Sequence, residues 1–200
     1  VFGYGSLIFK PPPYTVARTV GYIRGFVRRF AQSSIDHRGT HARPGRVVTL
    51  VEAKHWRAAE EAARAAGHAV EEEELGEDIV WGVCWTIDPS HAADVRAYLD
   101  HREINGYTPQ QVSVYGRAAP DAEQDSVLMR DVLVYVGLPD NEAFVGPAPS
   151  QTHLAARIFS CAGPSGRNDE YVLRLARATR ALAPQVTDRH LFDLEERLLA

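Results

Sequence analysis

The stretch Val20-Gly21-Tyr22-Ile23-Arg24-Gly25-Phe26-Val27-Arg28-Arg29-Phe30 is rich in β-branched and aromatic residues and reads as a strand. Outward from it, the same composition recurs over residues 1–8, 47–51 and 79–87. Aliphatic runs bounded by Pro, Gly and Asp mark two more strands at 110–115 and 127–136, which makes six. A helix is expected from Pro89, capped by Asp88, with Ala92, Val95 and Leu99 on one face. Three later helices are expected at 152–162, 169–183 and 188–199, the last capped by Thr187 and separated from its predecessor by Pro184. Antiparallel-looking strands with interspersed helices, without strict βαβ alternation, predict an α+β fold built on a curved sheet or small barrel.

The length of 200 residues suits one domain, 1–200, that needs no disulfide or metal staple. Hydrophobic residues at 45% and charged residues at 24% fit an ordinary globular chain, and no apolar run reaches the ~20 residues that span a bilayer. The chain opens on Val1-Phe2-Gly3 with neither a basic stretch nor a long apolar one, so no secretory or transit segment is expected. Cys84 and Cys161 form no CxxC motif and no disulfide framework, which favours a reducing, cytoplasmic setting. The net charge of −4 argues against nucleic acid as partner. Residues 52–78 alone carry −6, so the remaining body is mildly basic and suits a small anionic substrate. The segment 53–78 is expected to be an insertion between two strands: a short helix stopped near Gly67, then an acidic solvated stretch ending a mobile connection.

Ordinary nucleophilic catalysis has few candidates. In Gly3-Tyr4-Gly5-Ser6-Leu7 the serine follows the second glycine, so this is no G-x-S-x-G elbow, and the lysine of a phosphate-binding loop is missing. A strand turning at two glycines can aim successive backbone N–H groups into one concavity and hold an oxyanion; a tight turn packed under Tyr4 and Leu7 explains the same residues. The eight histidines form no metal-ligand spacing, and His37 and His41 lie in a Gly- and Pro-rich loop beside Arg38 and Arg43. Glu103 is the more informative acid. If the helix from Pro89 continues through Arg102, Glu103 falls four residues past Leu99, on the apolar face at a helix C-terminus. Burial and the helix dipole would then both raise its pKa toward the range of acid/base catalysis, although a structural ion pair with a nearby arginine is the competing explanation.

Collinear motifs along nearly the whole chain resemble the ChaC-type, glutathione-specific γ-glutamylcyclotransferases. They include residues 1–8, Arg28-Arg29-Phe30, Asp36-His37-Arg38-Gly39 and the run 44–52. Tyr98-Leu99-Asp100 with Arg102-Glu103, Gly106-Tyr107, Gly146-Pro147-Ala148-Pro149, the run 162–168 and Glu170-Tyr171 continue the series. The sequence departs from this pattern in the acidic insertion and in Ala31, where the family pattern leads one to expect Trp. The resemblance implies a six-stranded, barrel-like γ-glutamylcyclotransferase fold with flanking helices, no cofactor and no metal. It implies a lyase-type cleavage of glutathione into 5-oxoproline and cysteinylglycine, without a nucleic-acid, membrane or obligate protein partner. It maps the acid/base onto Glu103 and the γ-glutamyl-binding loop onto Gly3, Tyr4, Gly5, Ser6, Leu7 and Ile8. Tyr171 is the expected substrate-orienting hydroxyl, with Arg38 and Arg167 as further candidates and the helix N-terminus beside Tyr171 as a place for a substrate carboxylate. Cyclotransfer on other γ-glutamyl peptides or amines, and non-catalytic binding of a γ-glutamyl ligand, remain the alternatives.

Overall fold

A computed structural model describes residues 1–71, 77–102, 106–117, 125–183 and 185–200. The leading stretch is two strands rather than one, because Gly25 takes a φ of +82° that a residue with a side chain rarely adopts. That corner separates β2 (Thr15–Arg24) from β3 (Phe26–Ser34) and sends them into different sheets. The first strand is also shorter than expected: β1 spans only Phe2–Gly3, and Ser6–Ile8 form a turn of 3-10 helix. The remaining strands are β4 (Gly45–Glu52), β5 (Ile79–Ile87), β6 (Tyr107–Gly116), β7 (Ser126–Gly137) and the short hairpin β8 (Ala162–Gly163) with β9 (Gly166–Arg167).

The α+β class stands, with the strands distributed differently from a single six-stranded sheet. An antiparallel sheet in the order β1-β5-β2-β6-β7 is faced by the separate ribbon β3-β4. The two are joined where the Tyr107 hydroxyl donates to the Val48 carbonyl at 3.2 Å and where Gly137 lies against Thr49. Residues 143–145 extend the ribbon, since Ser33 N–H donates to Ala143 O and Val145 N–H to Ala31 O, both at 2.8 Å. Packed between these layers and the C-terminal helices is one large apolar core, in which Tyr22, Leu50, Val83 and Val134 meet Leu175 and Leu194.

Among the described residues, five α-helices complete the fold: α1 (Ala53–Ala65), α2 (Ala92–Arg102), α3 (Gln151–Phe159), α4 (Asn168–Arg180) and α5 (Arg189–Leu199). Asp88 caps as expected, accepting from Ser90 N–H at 2.9 Å, but over a 3-10 turn at Pro89–His91 that then runs into α2. Within α2, Val95 and Leu99 are buried as expected whereas Ala92 is exposed. Helix α3 is capped by the Ser150 hydroxyl, and α5 by the Asp188 carboxylate on Leu191 N–H rather than by Thr187. Pro184 lies outside the described residues.

The expected insertion begins with a well-anchored element. Helix α1 ends two residues before Gly67 and buries Trp56, whose indole N–H donates to Glu60 at 2.8 Å. Trp56 joins Val27, Ala31, Val51 and Ala53 in a second apolar cluster, separate from the main core. An indole from α1 thus packs beside Ala31, the position where the sequence pattern led one to expect a tryptophan. Its acidic continuation is tied down at Glu71, whose carboxylate accepts the first N–H of α3, from Gln151, at 2.8 Å. Residues 72–76 lie outside the described residues.

Candidate functional site

A cavity of about 360 Å³ opens between the Ser6–Ile8 turn, the β3-β4 ribbon, α2 and a wall made of two loops. Its floor is the glycine segment. The turn closes on itself through Ile8 N–H to Gly5 O and the N–H groups of Phe9 and Lys10 to Ser6 O. Tyr4, Gly5, Ser6 and Leu7 all line the cavity. Gly3 and Ile8 do not: Gly3 pairs with Val83 in the sheet beneath Leu7, and Ile8 belongs to the main core. A strand running through residue 8 would have alternated these side chains, whereas the turn buries Ile8.

The wall opposite is built from two distant segments, 37–39 and 163–168. Ser165 N–H donates to His37 O at 2.9 Å, Arg38 Nη1 donates to Arg167 O at 2.8 Å, and the Ser165 hydroxyl lies 3.1 Å from His37 Nδ1. The two backbones come so close that a Cβ on Gly163 would stand 2.6 Å from both Gly39 N and Gly39 O, so a side chain there would force the loops apart. Fully buried Asn168 fastens the second segment to β4, accepting from Arg46 N–H and donating to Arg46 O, each at 2.7 Å.

Tyr171 stands on this wall. It is 7% exposed and packs in the core, yet its hydroxyl reaches the cavity floor, 3.4 Å from where a Cβ on Gly5 would lie. Its ring therefore belongs to the core while its hydroxyl belongs to the cavity. Arg38 places its guanidinium 5.3 Å from the Tyr171 ring centroid. Burial lowers the Arg38 pKa from its usual value, opposed by Tyr171 and Glu170, but an arginine stays charged at any relevant pH. Arg38 and Lys10 give the cavity a cationic lining.

Two expectations are corrected here. Arg167 lies outside the cavity lining: it pairs with Asp169 and faces Phe159. The N-terminus of α4 already has its anion, because the Asp169 carboxylate accepts from Glu170 N–H at 2.9 Å. Arg167, and then that backbone bond, hold the Asp169 carboxyl below its usual pKa, so a substrate carboxylate would compete with a fixed one.

Glu103 lies outside the described residues, directly after the last residue of α2. The elements on either side both reach the cavity, through Tyr98 of α2 and Tyr107 of β6. Across from them, buried Tyr135 lines the cavity and donates to Asp100 of α2 at 2.6 Å. Sequence reasoning missed Tyr98, Tyr135, His37 and Ser165 as lining residues. Tyr98 and Ser165 lie inside motifs that carry the family resemblance without a role of their own in it, and Tyr135 carries no signal beyond a strand's alternation. Among the described residues no group of three or more His, Cys, Asp or Glu is placed to hold a metal ion. No helix among them is long and apolar enough to cross a membrane.

Comparison with known proteins gives a consistent picture. The profile of the ChaC-like protein family matches residues 1–199. The glutathione-specific γ-glutamylcyclotransferase of Schizosaccharomyces pombe is 37% identical over 195 residues, which covers 98% of this chain and 89% of the relative. The glutathione-specific γ-glutamylcyclotransferase 1 of Danio rerio is 38% identical over 204 residues, covering 100% and 88% respectively. A crystal structure of the yeast γ-glutamylcyclotransferase specific to glutathione superposes with a TM-score of 0.79 at 36% identity, covering 99% of this chain and 94% of that one. The sequence motifs, the two-layer fold and these matches over almost the full length agree: this chain belongs to the ChaC-like protein family.

Proposed function

We propose that this protein is a γ-glutamylcyclotransferase that cleaves glutathione into 5-oxoproline and cysteinylglycine. The observation that carries the proposal is the near-complete match to relatives named for that activity, on a chain whose glycine turn and cationic wall enclose a cavity of small-molecule size. The substrate supplies its own nucleophile. Its α-amino nitrogen attacks the γ-carbonyl carbon, a five-membered ring closes, and the bond from that carbon to the cysteinyl nitrogen breaks, with no water consumed. A base must first take a proton from the ammonium form of the amine, and the departing cysteinyl nitrogen needs one back, so a single carboxylate can serve both steps.

Glu103 is assigned that role. Its support is its place in the family motif Arg102-Glu103 and its position in sequence between two elements that line the cavity. The backbone N–H groups of the Gly5–Leu7 turn are assigned to the oxygen that gains charge as the carbonyl becomes tetrahedral. Arg38 and the Tyr171 hydroxyl, next to that turn, are assigned to orienting the γ-glutamyl carboxylate. Holding the γ-glutamyl arm folded makes attack intramolecular, which is where proximity contributes most. Two buried, unpaired thiols, Cys84 and Cys161, suit a reducing compartment such as the cytoplasm.

Incubation with glutathione should yield 5-oxoproline and cysteinylglycine in equal amounts. The Glu103→Gln variant should fold normally and lose ~10²–10⁴-fold in kcat, the usual worth of a positioned acid/base. Full activity in that variant would sink the assignment.

A further inference from the structure

The two-loop wall has an order from deep to shallow. Deepest is Gly5 with the Tyr171 hydroxyl; next comes the half-buried Arg38 guanidinium over the Tyr171 ring; outermost are the exposed side chains of His37 and Ser165. A tripeptide whose reacting carbonyl sits at the Gly5 turn has two residues left to place, and extended chain covers ~3.3–3.6 Å per residue. If those residues lead outward along the wall, their terminal carboxylate comes to the rim, where a hydrogen-bond donor would hold it.

Ser165 and His37 supply one. Both line the cavity, and with a proton on His37 Nδ1 the imidazole donates to the Ser165 oxygen at 3.1 Å, which leaves the hydroxyl hydrogen to donate to another acceptor. His37 Nε2 lies 3.9 Å from Asp36 Oδ2, beyond hydrogen-bond reach. The backbone of Ser165 is held by its N–H to His37 O at 2.9 Å, which places the residue on the wall and leaves its hydroxyl to be oriented by the His37 ring. We propose that Ser165, oriented by His37, binds the glycine carboxylate of glutathione and makes the site prefer the tripeptide over shorter γ-glutamyl compounds. Ser165 is the contact residue and His37 a positioning residue; the inference rests on the glutathione reading above.

The contact is remote from the reacting carbonyl and is the same in ground and transition states, so losing it raises KM and leaves kcat alone. Steady-state kinetics on the full chain, following 5-oxoproline, should compare glutathione with γ-glutamylcysteine, which lacks the glycine. Ser165→Ala keeps the backbone bond, and is expected to raise KM for glutathione ~5–10-fold, the scale of one hydrogen bond to a charged group at an exposed rim, with kcat within about twofold. KM for γ-glutamylcysteine should not move, and Ser165→Thr should restore the glutathione value. Product inhibition gives a second reading: cysteinylglycine should inhibit Ser165→Ala more weakly than wild type, and 5-oxoproline should inhibit both alike. An unchanged KM for glutathione, or an equal rise for both substrates, overturns the assignment. Absence of 5-oxoproline from glutathione with the wild-type chain overturns the functional reading itself, a different result from wild-type activity that ignores Ser165.

Discussion

A methyl group at Gly5 tests the floor of the cavity, because backbone donors are otherwise out of reach of side-chain mutagenesis. A Cβ there would lie 2.8 Å from Val48 Cγ1 and 3.4 Å from the Tyr171 hydroxyl. Val48 is only 4% exposed and is packed in the main core, so it cannot swing into solvent, and the turn itself must give. Overpacking of this kind costs ~1–3 kcal/mol. For a chain of this size each kcal/mol lowers Tm by roughly 2–4 °C, so Gly5→Ala should melt about 2–12 °C below wild type. On the proposed assignment, a turn displaced by a few tenths of an ångström would no longer aim its N–H groups at the developing oxyanion, and losing one such donor costs ~3 kcal/mol. The expected fall in kcat is therefore ~10²-fold at a temperature where the variant is fully folded. Adding Val48→Ala removes the clash with Cγ1, so the double variant should lose less stability than the sum of the two single variants. Circular dichroism melting and 5-oxoproline release under saturating glutathione separate the two effects. Wild-type kcat in folded Gly5→Ala would refute the assignment of the turn as the oxyanion site.

Two further outcomes follow from the surrounding structure. Trp56→Ala empties the second apolar cluster and strips Glu60 of its indole partner, so it should cost ~3–5 kcal/mol in a denaturant titration and leave kcat unchanged while folded, since no residue of α1 lines the cavity. Tyr135→Phe concerns Asp100, whose carboxyl is held below its usual pKa by the Tyr135 hydroxyl first and by Arg96 after it. A depressed folded-state pKa contributes stability that is complete above the unfolded value of ~3.9 and is lost as pH falls through the folded one. Tyr135→Phe should therefore be less stable than wild type at neutral pH, with a gap that narrows below about pH 4, and a carbon NMR titration should find its Asp100 pKa raised. A gap independent of pH would mean that the hydroxyl does not act through Asp100.

The fold class was legible in the sequence because strand composition and helix caps are local signals. Asp88 caps, Val95 and Leu99 are buried and α1 stops before Gly67, all readable from neighbours within a few residues. What the sequence hid was conditional on tertiary partners. Nothing local marks Gly25 as the corner where one apparent strand becomes two, nor decides that Ile8 turns into the core while Leu7 faces the cavity. Arg38 and Arg167 looked equivalent, and only the pairing of Arg167 with Asp169 distinguishes them. Likewise Asp169 sits in plain view in the sequence, but its carboxylate is seen to fill the α4 N-terminus only once the helix start at Asn168 is known.

The close approach of Gly39 and Gly163 has a bearing on biosynthesis. These two segments are far apart in the chain, and the wall they form requires α4 to be docked behind it through Asn168 and Tyr171. Loop closure over such a separation comes late in folding, after the hairpins and helices that need only nearby residues. A nascent chain can thus build its N-terminal strands while the glycine turn still has no opposing surface. The wall is complete only once residues 163–171 are present, so a chain that stops before them lacks one side of the cavity.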